Sequence, residues 1–292
     1  MTVGQPTQSI AVLGTTFQNP ILLAAGTAGF GRELAGTVDL EALGGLVTKA
    51  VSLEPRAGNR APRVAEFDGG MLNSIGLANP GLQVVATDDL VWLKENVRAP
   101  RVLVNVVGFV EDEYARVIEG LDPIGGMIGY ELNLSCPNTS AGGLEFGADP
   151  EAVRRIVARC RSATNRQLLA KLSPALPDVP GLAAAAIAAG ANGISVVNTM
   201  PGLVYEADHP RLGNGNGGVS GPALLPVGLL ATARVRRALP DVPIIGLGGI
   251  RTLEHVRQYL RAGANLVAIG TAGLADPRLP ERLARQWTQA HG

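Results

Sequence analysis

The sequence is poor in the residue types from which many functional sites are built. Its 292 residues include two cysteines and three histidines, and only 4% are aromatic. Cys136 and Cys160 are too few and too far apart for a disulfide framework or a cysteine-ligated metal cluster, so we expect no metal site. Basic and acidic residues balance at 25 each, which argues against a nucleic-acid partner.

Long apolar runs are also missing. No stretch reaches the roughly 18 apolar residues that a membrane-spanning helix requires. Residues 1–9 contain no basic segment followed by an apolar one, as a secretion signal would. We therefore expect a cytoplasmic protein with no membrane contact. Its 46% hydrophobic residues are enough to build a large core in a chain of this length.

Short apolar runs alternate with longer amphipathic segments along the chain. Such runs are typical of buried parallel strands, and the segments between them are typical of covering helices. The expected strands are 21–25, 45–48, 102–106, 128–134, 168–172, 193–197, 243–247 and 266–269. The expected helices are 90–97, 111–119, 150–163, 179–189, 223–238 and 253–262.

Eight repeated units predict an α/β fold, a (β/α)8 TIM barrel formed as a single domain by residues 1–292. We expect residues 10–17 to form an N-terminal hairpin that plugs the N-terminal mouth of the barrel. Long loop excursions are predicted after strands 2, 4 and 6, at residues 53–81, after Cys136, and at residues 201–218.

Glycine-rich turns follow the seventh and eighth expected strands, at Gly248-Gly249 and Gly270-Thr271. Barrel enzymes carry their chemistry at the C-terminal ends of the strands, and free N–H groups at these two turns commonly bind phosphate. Gly221, before another helix, can add a further donor. No Gly-x-Gly-x-x-Gly follows an early strand, so a dinucleotide fold is not predicted.

Two lysines, Lys49 and Lys171, fall where a barrel points side chains inward. A buried lysine needs a partner. The two readings are an interior salt bridge and an anionic or electron-rich ligand. No acidic residue stands at the equivalent strand ends, which favours the ligand. Amides that suit a heterocycle with ring amides lie at strand ends and in nearby loops, at Asn73, Asn105, Asn133, Asn138 and Asn198.

Cys136 lies on a turn after the fourth expected strand, where Pro137 ends regular pairing. A thiol between Asn133 and Asn138 can serve as a base or a nucleophile. The alternative is that Cys136 is a small buried hydrophobic residue. The surrounding amides favour the chemical role.

In combination, these motifs resemble the class 1 dihydroorotate dehydrogenases, and the likeness spans nearly the whole chain. The matching stretches, in that family's order, are Thr48-Lys49, 53–56, 73–77 with Asn79-Pro80, 133–138, 171–174, Asn198-Thr199, 220–222 and Gly248-Gly249. Residues 142–147 are most similar to the catalytic, FMN-binding subunit of the NAD-linked class 1B enzymes.

The resemblance implies oxidation of dihydroorotate to orotate in de novo pyrimidine (UMP) biosynthesis. Cys136 would remove the C5 proton while hydride passes from C6 to FMN, with Lys49 as the second catalytic residue. FMN would be held by Ala25, Gly26, Thr48, Lys49, Asn105, Asn133, Lys171, Val197, Gly221, Gly248, Gly249, Gly270 and Thr271. The substrate would be held by Lys49, Asn73, Ser74, Ile75, Gly76, Leu77, Asn133, Asn138, Asn198 and Thr199. Ala25 departs from the family, because many relatives have Ser there.

The sequence contains neither an iron–sulfur ligand set nor a NAD fingerprint. The resemblance therefore implies an electron-transfer partner subunit carrying FAD and a 2Fe–2S cluster, around a homodimer core of a heterotetramer. Four alternatives stay open: a fumarate-dependent class 1A-like enzyme, another FMN barrel acting on dihydropyrimidines, a non-redox phosphate-binding isomerase or lyase, and a flavin-binding module without catalysis.

Overall fold

Eight parallel strands close into a barrel in a computed structural model that describes residues 9–135 and 146–291. The strands are β3 (Ile21–Leu23), β4 (Gly45–Val47), β7 (Arg101–Val106), β8 (Gly129–Asn133), β9 (Gln167–Leu172), β10 (Gly193–Val196), β15 (Ile244–Leu247) and β16 (Leu266–Ile269). Their order around the barrel follows the chain, and β16 closes onto β3. The predicted (β/α)8 barrel is confirmed, and each strand ends within two residues of its prediction.

The strands are buried on both faces because helices cover the outside and apolar side chains fill the inside. Inward residues such as Leu22, Leu103 and Leu169 form one interior cluster. The N-terminal hairpin of β1 (Ile10–Val12) and β2 (Thr15–Phe17) adds the buried Leu13 and Phe17 to that cluster. The predicted hairpin therefore fills the N-terminal mouth of the barrel.

Helices pack around the barrel where amphipathic segments were predicted. They are α1 (Leu82–Val84), α2 (Leu90–Asn96), α3 (Glu111–Leu121), α4 (Pro150–Ala163), α5 (Val179–Ala188), α6 (Leu225–Ala238), α7 (Leu253–Arg261), α8 (Thr271–Ala275) and α9 (Leu279–His291). Asp149 caps α4 by accepting a hydrogen bond from the Glu151 amide, with Pro150 at the first helical position. Three of these helices, α1, α8 and α9, were not predicted.

The excursions after the second and sixth barrel strands contain sheet, which corrects the prediction of loops. β5 (Val64–Phe67), β6 (Gly70–Asn73), β11 (Met200–Gly202) and β14 (Gly217–Ser220) form a four-stranded antiparallel sheet, which we name the roof sheet. Within it, Asn73 pairs with both Val64 and Gly218, so the two excursions are joined. Another hairpin is formed by β12 (Tyr205–Glu206) and β13 (His209–Pro210). The predicted excursion after strand 4, residues 136–145, lies outside the described residues.

No helix within residues 9–135 and 146–291 combines the length and the apolar character needed to cross a membrane.

Candidate active site

A cavity of about 1510 Å³ opens at the carboxyl ends of the barrel strands. One wall consists of strand ends and the turns that follow them, and another consists of the roof sheet. We name this space the rim cavity. Its position agrees with the rule that barrel enzymes place their chemistry at this end.

The rim cavity brings together most of the residues predicted to bind cofactor or substrate. The strand ends and their turns contribute Ala25, Gly26, Lys49, Asn105, Asn133, Lys171, Val197, Asn198, Thr199, Gly248, Gly249, Gly270 and Thr271. The excursions contribute Asn73, Ser74, Ile75, Gly76, Leu77 and Gly221.

Three predicted residues are placed elsewhere or are not described. Thr48 is fully buried and does not line the cavity. Its hydroxyl donates to the Lys49 backbone carbonyl at 2.9 Å and accepts from the Asn105 backbone N–H at 3.3 Å. Thr48 therefore links two residues that line the cavity. Cys136 and Asn138 lie outside the described residues, although Ser135, which precedes them, lines the cavity.

Lys171 has an acidic partner, which corrects the expectation that none was available. Its Nζ lies 3.3 Å from Oε1 of Glu131, and the two side chains are 7% and 0% exposed. The same oxygen accepts a hydrogen bond from Nδ2 of Asn105 at 2.7 Å. Glu131 lies within β8 and two residues before Asn133, at the next inward position below it. Sequence reasoning missed it because it considered only residues at the strand ends.

Several buried polar atoms have no hydrogen-bond partner among the described residues. They are Oδ1 of Asn105, Oε2 of Glu131, and the hydroxyls of Ser135 and Ser195 near this end of the barrel. A buried polar group left unpaired costs about 1–3 kcal/mol. Asn105 and Ser135 are residues of the cavity lining.

Lys49 differs from Lys171 in its environment. It follows β4, is half-buried, and forms no ion pair with any residue that the structure describes. The chain contains three lysines, at positions 49, 94 and 171, and two of them line this one cavity. That concentration is a sequence signal in favour of an anionic ligand.

The two glycine turns have backbone shapes that suit close approach of a ligand. Gly248 and Gly249 have φ angles of 115° and 71°, in the region that favours glycine. A Cβ on Gly249 would lie 2.6 Å from the backbone nitrogen of Leu225, so this turn packs directly on the start of α6. The buried Tyr259 hydroxyl anchors the turn from below, within 2.6 Å of the Leu247 carbonyl and 2.8 Å of the Gly248 carbonyl.

The side-chain amides of Asn73, Asn133 and Asn198 are held by hydrogen bonds within the cavity wall. Nδ2 of Asn198 donates to Oδ1 of Asn133 at 3.3 Å, and Oδ1 of Asn198 accepts from the Thr199 amide at 2.8 Å. Nδ2 of Asn73 donates to the Gly218 carbonyl within the roof sheet, at 3.2 Å. These contacts fix which donors and acceptors face a ligand.

Fold and site together define a (β/α)8-barrel enzyme whose cavity contains cations, oriented amides and glycine turns of the kind that bind phosphate. Among the residues with a described position, no group of His, Cys, Asp and Glu side chains could hold a metal ion. The lysines, amides and glycine turns of the cavity suit an anionic ligand that carries ring amides.

Comparisons with known proteins specify the family. The family model described as dihydroorotate dehydrogenase matches residues 8–290. The dihydroorotate dehydrogenase B (NAD(+)) catalytic subunit of Geobacter sp. (strain M21) is 41% identical over 287 residues, covering 98% of this chain and 93% of that relative. The subunit of the same name from Desulforudis audaxviator (strain MP104C) is 43% identical over 271 residues, covering 92% and 87%.

A solved structure supports the same fold. It is a dihydroorotate dehydrogenase from Eimeria tenella in complex with ferulenol, with a TM-score of 0.83, 22% identity, and coverage of 99% of this chain and 86% of that one. The chain belongs to the dihydroorotate dehydrogenase family, whose catalytic subunits are FMN oxidoreductases. The resemblance drawn from the sequence motifs is thereby confirmed.

Proposed function

We propose that this chain is the FMN-binding catalytic subunit of a NAD-linked dihydroorotate dehydrogenase, which oxidises dihydroorotate to orotate in the cytoplasm. One observation carries the proposal beyond the family name. Lys49, Lys171, four of the five predicted amides (Asn73, Asn105, Asn133 and Asn198) and both glycine turns converge on one cavity at the carboxyl ends of the barrel strands.

The residues of the rim cavity fit the chemistry of FMN. Gly248, Gly249, Gly270 and Thr271 would hold the phosphate through backbone N–H groups. Lys171 and Asn105 would meet the ring, which presents carbonyl oxygens and a ring N–H. Oδ1 of Asn105 has no partner among the described residues, and this supports the assignment, since it supplies an acceptor for the ring N–H. When bound, FMN supplies a hydride acceptor for C6 of the substrate.

Lys49 and the side-chain amides of Asn73, Asn133 and Asn198 would hold the substrate. Dihydroorotate carries one carboxylate and ring amides, so it needs a cation and paired donors and acceptors. Lys49 supplies an ammonium group that no described acid neutralises, and Asn73, Asn133 and Asn198 supply the amides. Residues 74–77 connect to the roof sheet and would close over the substrate from above.

Cys136 would act as the base that removes the C5 proton. The chain reaches position 136 directly from Asn133 and Ser135, both of which line the rim cavity, and this supports a thiol near the substrate. A free thiol has a pKa of about 8.5, so turnover should increase as the pH rises towards that value.

The proposed electron route leads to a partner subunit carrying FAD and a 2Fe–2S cluster, and from there to NAD. Support comes from the relatives, each of which is named as a catalytic subunit of a NAD(+) enzyme. The chain would form the homodimer core of a heterotetramer. The alternative acceptor is fumarate, which would reoxidise FMN at the same site.

The test uses the purified chain under anaerobic conditions. We expect one FMN per chain and bleaching of its visible absorption by dihydroorotate, but not by dihydrouracil. Cys136→Ala should keep FMN and lose most of that reduction rate. Reoxidation by fumarate, without a partner, would support the alternative. A colourless protein that takes up no FMN, or equal reduction by dihydrouracil, would refute the proposal.

A further inference from the structure

A layer of polar side chains lies inside the barrel, directly under the rim cavity. It consists of Asn105 on β7, Glu131 on β8, Lys171 on β9 and Ser195 on β10. Strand register places Asn105 beside Glu131 and Lys171 beside Ser195, so these neighbours project to the same side. Deeper inside the barrel, the inward positions of the same strands are apolar, as at Leu103 and Leu169.

Glu131 holds this layer together. Its carboxylate is fully buried and does not line the cavity, whereas Lys171 and Asn105 both do. One oxygen, Oε1, contacts both of them, at 3.3 Å from Lys171 and 2.7 Å from Asn105. A buried carboxylate is costly unless it is paired, so a glutamate at this depth calls for a specific role.

A carboxylate also determines the orientation of the Asn105 amide. An ionised carboxylate only accepts hydrogen bonds, so the nitrogen of the Asn105 amide must face Glu131. The amide oxygen is then turned away from Glu131, and it has no partner in the described structure. Lys171 likewise uses one of its three ammonium donors on Glu131 and leaves the others for a ligand.

We propose that Glu131 is a positioning residue, which fixes the Lys171 ammonium and the Asn105 amide at the cavity floor where the isoalloxazine ring of FMN binds. The inference rests on the proposed function, since it assumes that FMN occupies this floor. Glu131 acts on the cofactor only through these two side chains. Loss of its charge alone, with the side-chain shape kept, should therefore weaken FMN binding.

Glu131→Gln keeps the shape of the side chain and removes its charge. The resulting carboxamide can donate as well as accept, so it no longer dictates the Asn105 orientation, and Lys171 loses its counter-ion. We expect the dissociation constant of FMN for the apoprotein, measured by flavin fluorescence, to rise about tenfold or more, in line with the loss of one charged hydrogen bond. In a Lys171→Met background the same change should raise it by a clearly smaller factor than in the wild type, because only the Asn105 contact is then left to lose.

Asp122→Asn is the matched control. Asp122 also forms an ion pair, with Arg166 at 3.0 Å, and accepts a hydrogen bond from Tyr130 at 3.0 Å, but it does not line the rim cavity. Its loss should lower thermal stability and leave FMN affinity unchanged. This comparison separates positioning from general destabilisation.

An unchanged FMN affinity in Glu131→Gln, or an equal loss in the Lys171→Met background, would overturn the inference. If the Gln variant does not fold, Glu131→Asp serves instead. The shorter side chain keeps the charge but cannot keep both contacts, so it should also weaken FMN binding, and unchanged affinity would again be decisive. A wild-type protein that binds no FMN would refute the proposed function as well, whereas a normal wild type with an unaffected variant would refute this inference alone.

Discussion

At the scale of single residues, lysine and arginine are divided unevenly between the site and the surface: of the described arginines, only Arg251 lines the rim cavity. The surface ion pairs of the described chain use arginine throughout, as in Arg155 with Glu111 and Arg285 with Asp39. Two of the three lysines line the rim cavity. An ammonium group is a compact charge with rotatable donors, so it can serve a ligand whose position changes during a reaction.

Lys49→Met tests this division. The variant removes the only cation proposed to face the substrate carboxylate, so we expect kcat/KM for dihydroorotate to fall by about a hundredfold or more. Steady-state assays over a range of substrate concentrations give the value. Lys94→Met is the control, because Lys94 is an exposed lysine whose Nζ donates to the Ile124 carbonyl on the outside of the barrel. Equal losses in the two variants would contradict a specific role for Lys49.

Site residues could be predicted from the sequence only where a polar residue stands at the end of an expected strand. Lys49, Lys171 and Asn133 combine a polar type with a strand end, and the structure places all three on the cavity. Glu131 was missed because its neighbours read as a buried apolar strand, and a carboxylate is rarely buried there. Its partner Lys171 comes 40 positions later, on the adjacent strand, so local sequence could not reveal the pair.

At the scale of elements, barrel strands and helices follow from periodicity, whereas the roof sheet does not. Strands such as β16 are uninterrupted apolar runs, and α4 has both a cap and an apolar side, so local signals suffice. In the roof sheet, β6 begins with one glycine and β14 with two, and the strands lie 145 residues apart at the Asn73–Gly218 contact. Glycine in a sequence indicates a turn rather than a strand, and strand pairing across that distance depends on tertiary structure. The sequence therefore did not predict the roof sheet.

The turn after β15 provides the prediction at this scale. Gly249→Ala places a Cβ 2.6 Å from the Leu225 backbone nitrogen at a φ of 71°, so the turn must move away from α6. We expect FMN to be lost on gel filtration, because the amides of this turn are the proposed phosphate donors, together with about 1–3 kcal/mol of stability. Flavin absorbance per protein and thermal unfolding measure the two effects.

Gly215→Ala is the control for Gly249→Ala, because it shares the positive backbone φ angle but not the steric clash. Gly215 has a similar φ of 85°, yet a Cβ there would meet nothing within 4 Å, and the residue does not line the rim cavity. This variant should be slightly destabilised and should keep its FMN. Retention of FMN by Gly249→Ala would mean that the turn does not hold the phosphate.

At the scale of the whole molecule, one buried thiol reports on global opening. Cys160 on α4 is fully buried in the main core, beside Ile156 and Val157. Burial raises the pKa of its thiol to about 12. At pH 8 only about one thiol in ten thousand is then ionised, compared with roughly a quarter at an ordinary pKa of 8.5. Iodoacetamide reacts with the thiolate, so the folded chain should resist it.

In a Cys136→Ala background, Cys160 is the remaining thiol. We expect native protein at pH 8 to stay unlabelled by iodoacetamide over hours and to take up one equivalent in denaturant, which serves as the positive control. Labelling then requires opening of the core that surrounds the barrel. A ligand that binds only the folded chain should therefore slow it: FMN at 100 times its dissociation constant adds about 2.7 kcal/mol, or roughly a hundredfold. Rapid labelling of the native protein, or a labelling rate that FMN does not change, would show that α4 opens independently of the barrel and its site.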